Sequence, residues 1–215
     1  MDDLGRYCVR MLGETPAARA AEEAARAGGD ADRSAMLRAG VAAVRQGSAR
    51  VPDEPVADEA AGDERPTDPE ALTQAIAREL AAATAALPLA EREALALREL
   101  LGLDYAALSA ATGVPPEAVP VVLAQARLNL RTQLRGVGAT QPACDERERA
   151  LRTIARRQDG EEVPAADDDW LIEHLGHCRG CRQAHAAMLE ASACYRAWAA
   201  PDISADPIAG AASGS

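Results

Sequence analysis

Three residues late in the chain have the types and spacing of metal ligands: His174, Cys178 and Cys181, arranged His-x3-Cys-x2-Cys. A Cys-x2-Cys turn presents two thiolates to one ion. A helix ending at that turn aims an imidazole four residues upstream at the same point. Zinc favours tetrahedral sets of sulfur and imidazole nitrogen and needs a fourth donor. Cys144, thirty residues before His174 and at the head of the helix-like stretch CDERERALRTIARR, is the candidate. His177 is a rival ligand, but it lies one residue before Cys178, and His185 reads as a surface residue of the following helix. Three sulfurs and one imidazole make a closed structural site, whereas a zinc enzyme keeps one position open. The competing use of the same residues is redox: zinc thiolates that join as a disulfide on oxidation. Cys8 and Cys194 lack metal spacing and read as small packing residues.

No catalytic constellation is present. The chain has no nucleophile elbow, phosphate loop or dinucleotide fingerprint, so an enzyme is not expected. The formal charge of −11 argues against nucleic acid at first sight. Its distribution changes that. Residues 51–68 carry seven acids and one arginine, over half of the net negative charge. The span Ala118–Arg135 holds Arg127, Arg131 and Arg135 and no acid. Arg127 and Arg131 stand at i, i+4, a spacing that puts both on one side of a helix, where they can meet phosphates.

The elements that position these arginines lie within Leu87–Leu134. Leu87-Pro88 opens a helix, since proline suits the first helical turn, and Gly102 stops it. A short helix follows over roughly Tyr105–Thr112 and ends at Gly113. A third begins near Pro115-Pro116, with Val119, Leu123, Ala126, Leu130 and Leu134 along one face. A short helix, a glycine turn and a longer helix make a helix-turn-helix. Upstream, Asp68-Pro69 is a cap-and-start signal for a helix with Leu72, Ile76 and Leu80 on one face.

The frame Leu-Pro–x–x–Glu-Arg–x–x–Leu–x–Leu-Arg, then Gly-Leu–x–Tyr, then Ala-Arg–x–x–Leu-Arg, resembles the promoter −35-binding region of extracytoplasmic-function sigma factors. The resemblance implies RNA polymerase core and promoter DNA as partners. One stretch departs from it. Where that family presents threonine, lysine, serine and arginine to the DNA, this chain has Glu117-Ala118-Val119-Pro120-Val121-Val122. Arginine is the usual bidentate reader of guanine, so weak binding with little sequence preference is expected. Pro120, Val121 and Val122 are instead expected to form a covered protein contact.

The second resemblance rests on Cys144, the turn Asp159-Gly160-Glu161 and the His174–Cys181 motif. Together they resemble the zinc-binding domain of anti-sigma factors, over about Cys144–Trp198. It implies a small helical domain that packs on a sigma factor. The following helix carries the stripe Ala184, Met188, Ala191, Tyr195 and Trp198, of which Met188, Tyr195 and Trp198 are the expected contact residues.

The resulting organisation is all-α, in small helical modules, because aromatics make up only 2% of the chain and phenylalanine is absent. Residues 1–50 hold two helix-like stretches, LGRYCVRMLG and SAMLRAGVAAVRQ, with Gly28-Gly29 as a break. They are similar to a degenerate form of the sigma region that grips polymerase and opens the −10 element, with Tyr7 the one aromatic. Residues 51–68 read as an acidic linker, 69–136 as the helix-turn-helix module, 141–199 as the zinc module, with a short joint Val137–Pro142 between them, and 200–215 as a disordered tail. No apolar run of membrane-spanning length and no signal-peptide pattern occurs, so a cytoplasmic location is expected. The functional expectation is a sigma-factor-like regulator controlled by its own zinc domain. The alternative is an anti-sigma-like binding module without promoter activity that sequesters a sigma factor or a polymerase surface.

Overall fold

The computed structural model describes residues 3–12, 16–27, 33–48, 68–136 and 142–198. Among them are ten α-helices and no strand. The expected linker up to Thr67, the glycine pair, the joint from Val137 to Gln141 and the tail lie outside the described residues. No described helix is long and apolar enough to cross a membrane.

The N-terminal part has three helices, α1 (Asp3–Leu12), α2 (Pro16–Ala27) and α3 (Arg33–Ser48). Two were expected. The extra one, PAARAAEEAARA, is periodic, but its apolar side is alanine alone, without a large side chain to mark it as a packed face. Helix α4 (Pro69–Ala85) starts at Asp68, whose carboxylate accepts from the Ala71 amide at 2.9 Å. Its expected apolar face is only partly used: Leu80 is buried, whereas Leu72 and Ile76 remain exposed.

The helix-turn-helix follows. Helix α5 (Leu89–Leu95) runs into a π-helical turn, Ala96–Leu100, and α6 covers Tyr105–Thr112. Gly113 closes α6 at φ +78°, a conformation open to glycine at no steric cost. Helix α7 (Val119–Arg135) tolerates Pro120 because it stands in the first turn, where amides have no intrahelical partner. Beyond lie α8 (Arg147–Gln158), α9 (Ala165–His177) and α10 (Arg179–Ala197).

Three hydrophobic clusters hold these helices, and α7 contributes to all of them. Val119 and Leu123 join the first, with Leu97, Leu103 and Leu108 of the helix-turn-helix and Leu4, Tyr7, Leu37 and Val41 of the N-terminal helices. Ala124 and Leu128 join the second, with Leu151, Ile154, Leu171 and Met188. Ala126 and Leu130 join the third, with Leu87, Leu95, Ala191 and Tyr195. Polar contacts follow the same seams. Arg45 of α3 donates two bonds, at 2.8 and 2.7 Å, to the buried carboxylate of Glu93. Arg10 of α1 stacks 3.5 Å from the Trp198 ring centre and donates to its carbonyl at 2.6 Å.

Tyr7, Tyr105 and Tyr195, the chain's three tyrosines, are all buried, and burial is the leading reason that each phenol is held well above its ordinary pKa. An unfolded chain loses these protons near pH 10, while the folded one keeps them. The resulting stability is therefore complete below pH 10 and is lost as pH rises beyond it. Absorbance at 295 nm should show phenolate only together with loss of helix. A free titration near pH 10 with helix intact would contradict the burial.

Candidate functional site

Cys144, His174, Cys178 and Cys181 converge, their four donor atoms all within 4.8 Å of one another. Helix α9 ends at His177, and Cys178 is extended at φ −91°, ψ 99°, so the chain turns there before α10 begins. The imidazole of His174 therefore faces the turn. Its Nε2 lies 3.6 Å from the Cys144 sulfur and 3.3 Å from that of Cys181. Tetrahedral zinc with bonds of about 2.3 Å needs donor separations of about 3.8 Å, so small adjustments close this set on an ion. Burial pushes the Cys181 thiol up to about 12, while the Cys181 backbone amide draws Cys178 below the usual thiol value. Metal uptake at such a set displaces thiol protons. His177 is exposed and lies 3.9 Å from Glu173, outside the cluster. His185 is half-buried rather than superficial, and burial lowers its pKa.

A second polar assembly sits under α7. Arg127 is 0% exposed. Its guanidinium donates to Glu99 Oε1 at 2.9 and 2.7 Å and to the two oxygens of Asp159 at 3.1 and 2.5 Å. Burial opposes its charge, but the bonds and charges of Asp159 and Glu99 outweigh that and raise its pKa. Glu99 also accepts from Ser192 at 2.7 Å and pairs with Arg196 at 3.2 Å, both on α10. Asp159 accepts from the Tyr105 hydroxyl at 2.7 Å. Arg98, next to Glu99 in the π turn, donates to the Asp159 carbonyl and, at 3.2 Å, to Glu161. Glu161 in turn accepts from the Tyr105 amide at 3.2 Å, at the open N-terminal end of α6. Gly160 between the two acids has φ +69°, which turns both carboxylates back on the helix-turn-helix.

Residues 77–130 match the family model described as sigma-70, region 4. This segment is a sigma-70 region 4 domain. No curated protein and no solved structure matches the chain. A region 4 domain points to a sigma-factor-like, DNA-binding role in transcription and implies promoter DNA and RNA polymerase as partners. It ends inside α7 and contains Arg98, Tyr105 and Arg127, the residues that grip the Asp159–Glu161 turn, and Glu99, which pairs with Arg127.

The expected phosphate contact at Arg127 is corrected by its position: the region 4 domain spends that side chain on two buried carboxylates, so it faces protein and not solvent. Arg131 is a quarter exposed and pairs with Glu190 of α10 at 2.8 Å. Arg135 is more exposed and pairs with the same carboxylate. Its arginine partners, Arg135 first, lower the Glu190 pKa. Of the three residues expected in a covered protein contact, Pro120 is buried and Val121 and Val122 are half-buried, but the α10 stripe meets other residues of α7. Met188 and Tyr195 pack against Ala124, Leu128, Ala126 and Leu130, and Trp198 lies beside Tyr195, whereas Val122 packs against the first cluster, on another side of α7.

Glu99 and Glu190 were missed as site residues because an acid in a helical repeat looks solvated until its partner is placed. Replacing Arg127 by Met strands Glu99 and Asp159 in a buried space. The folded state should lose about 3–5 kcal/mol, the usual result of removing one member of a buried ion pair. Urea denaturation measures it, and a loss below about 1 kcal/mol would show that water reaches both carboxylates.

Proposed function

We propose that this chain is a transcription regulator in which a C-terminal zinc-binding module covers the DNA-reading helix of a sigma-like region 4 domain. The observation that carries the reading is the bridge that Arg127 makes between Glu99 and Asp159, which ties that module to α7 and the π turn. Zinc is the metal that three thiolates and one imidazole suit best, and its role is structural, because the donor set leaves no open position. Sigma region 4 domains belong to a family that is typically non-enzymatic, in keeping with a regulatory role.

The consequences for DNA follow from charge. With Arg127 buried and Arg131 and Arg135 paired with Glu190, the intact chain offers few free cations near α7. Binding to promoter DNA is weak and salt-sensitive, since phosphate contacts position a protein but do not specify a sequence. A second reading, an anti-sigma-like module without promoter activity, is favoured by the apolar Pro120-Val121-Val122 run where polar readers would stand. The N-terminal helices, as a reduced sigma region 2, would add a polymerase contact in the first reading. The short joint Val137–Pro142 keeps the zinc module at an effective concentration of order millimolar, which favours docking in cis.

Two measurements test this. Elemental analysis should find one zinc per chain, lost in Cys178→Ser and in Cys181→Ser. Core polymerase and a promoter fragment should be titrated with the intact chain, the chelator-treated chain and Asp159→Ala. Masking predicts weak binding by the intact chain and at least tenfold tighter binding by the other two. Equal affinity in all three removes the masking. Equal affinity with no DNA binding at all favours the second reading.

A further inference from the structure

We propose that Trp170 is the positioning residue for the His174 ligand, and that Arg149 and Asp167 hold it in place. The proposal rests on the metal reading of the Cys144–His174–Cys178–Cys181 cluster. Trp170 precedes His174 by four residues on α9, so the two side chains are neighbours on one face. Their rings lie nearly parallel, 18° apart, with centres separated by 4.8 Å. The Arg149 guanidinium of α8 lies 4.1 Å from the indole centre. Asp167, one turn before Trp170, fixes that guanidinium with bonds of 3.1 and 2.7 Å. The result is a chain of contacts from Asp167 through Arg149 and Trp170 to His174.

A metal-bound histidine is normally held in place by a hydrogen bond from its second ring nitrogen. Among the described residues, His174 makes its hydrogen-bonding contacts through Nε2 alone, toward the sulfurs. Its other constraint is the ring stack. An imidazole otherwise free to turn about its last torsion would point Nε2 at the thiolates only part of the time. The indole wall removes that freedom before the ion arrives. It also suits the bound state, because an imidazole made more positive by a metal is attracted to an aromatic face. Trp170 itself is half-buried at the edge of the second cluster, so its ring is not needed to fill the core.

The test uses the full chain with Zn²⁺ and Co²⁺ as probes. Zinc affinity is read by competition with a chromophoric chelator, and the thiolate–cobalt absorption reports the donor set. Trp170→Leu should keep the fold and lose about 10- to 100-fold in zinc affinity, the range for loss of a residue that orients a ligand. Its cobalt band should shift. Trp170→Phe, which keeps a flat ring, should bind close to the unaltered chain, and Arg149→Ala should fall between the two. Tryptophan emission should change on zinc addition in the unaltered chain and change less in Trp170→Phe, where Trp198 alone reports. Equal zinc affinity and an identical cobalt band in Trp170→Leu overturn the proposal, as does an emission that ignores zinc in the unaltered chain. An unaltered chain that binds neither ion overturns the metal reading itself, and this proposal with it.

Discussion

A fully buried arginine cannot exist in a small protein without its counter-charges. Arg127 meets Glu99 from the π turn and Asp159 from the end of α8. Each carboxylate is then claimed by further donors: Ser192 and Arg196 on Glu99, Tyr105 and Arg98 on Asp159. Removing water from three charges is costly, and the cost is offset only if all three are paired with good geometry. That condition fixes the π turn, α7, α10 and the turn after α8 relative to one another. Hydrophobic packing alone would allow them to slide, because apolar contact is not directional.

The candidate metal site acts at the other end of the same elements. Cys144 precedes α8 and Asp159 caps its last turn, so one helix links the thiolate cluster to the buried ion pairs. Helix α10 has Cys181 in its first turn and Tyr195 near its end, against Leu130 and Leu95. A metal that ties Cys144 to Cys181 therefore fixes the starts of two helices whose far ends grip the region 4 domain. The second cluster is built mainly from alanine and leucine, with no large ring at its centre. Such a light core gains much from a metal staple, since binding free energy becomes folding free energy. On the proposed reading, the same coupling would let metal loss loosen α7.

Much of this was legible in the sequence, and for identifiable reasons. The ligand set depends on residue type and short spacing, so His174, Cys178 and Cys181 could be read directly. The bounds of α6 followed from Gly113 and the tyrosine that begins it. Contacts between distant segments could not be read. Arg127 on a locally basic helix gives the same signal whether it faces phosphate or a buried carboxylate. Leu72 and Ile76 mark an apolar face that the fold leaves exposed. The side of α7 that meets α10 could not be read either, because α7 is apolar on several sides and packs on all of them. Periodicity counts apolar residues but does not say which neighbour each side receives.

On the proposed reading the C-terminal module is locked onto α7 by the Asp159 contact rather than resting beside it. Amide hydrogen exchange on the full chain reads this directly, by comparing the unaltered protein with Asp159→Ala. Local opening of a packed helix sets its exchange rate, so helices that share a lock open together. The account predicts faster exchange in Val119–Arg135 and Arg179–Ala197 alike, with α2 unchanged. Faster exchange confined to α8–α10, with α7 as slow as before, would show that the region 4 domain does not depend on the contact and would contradict the claim.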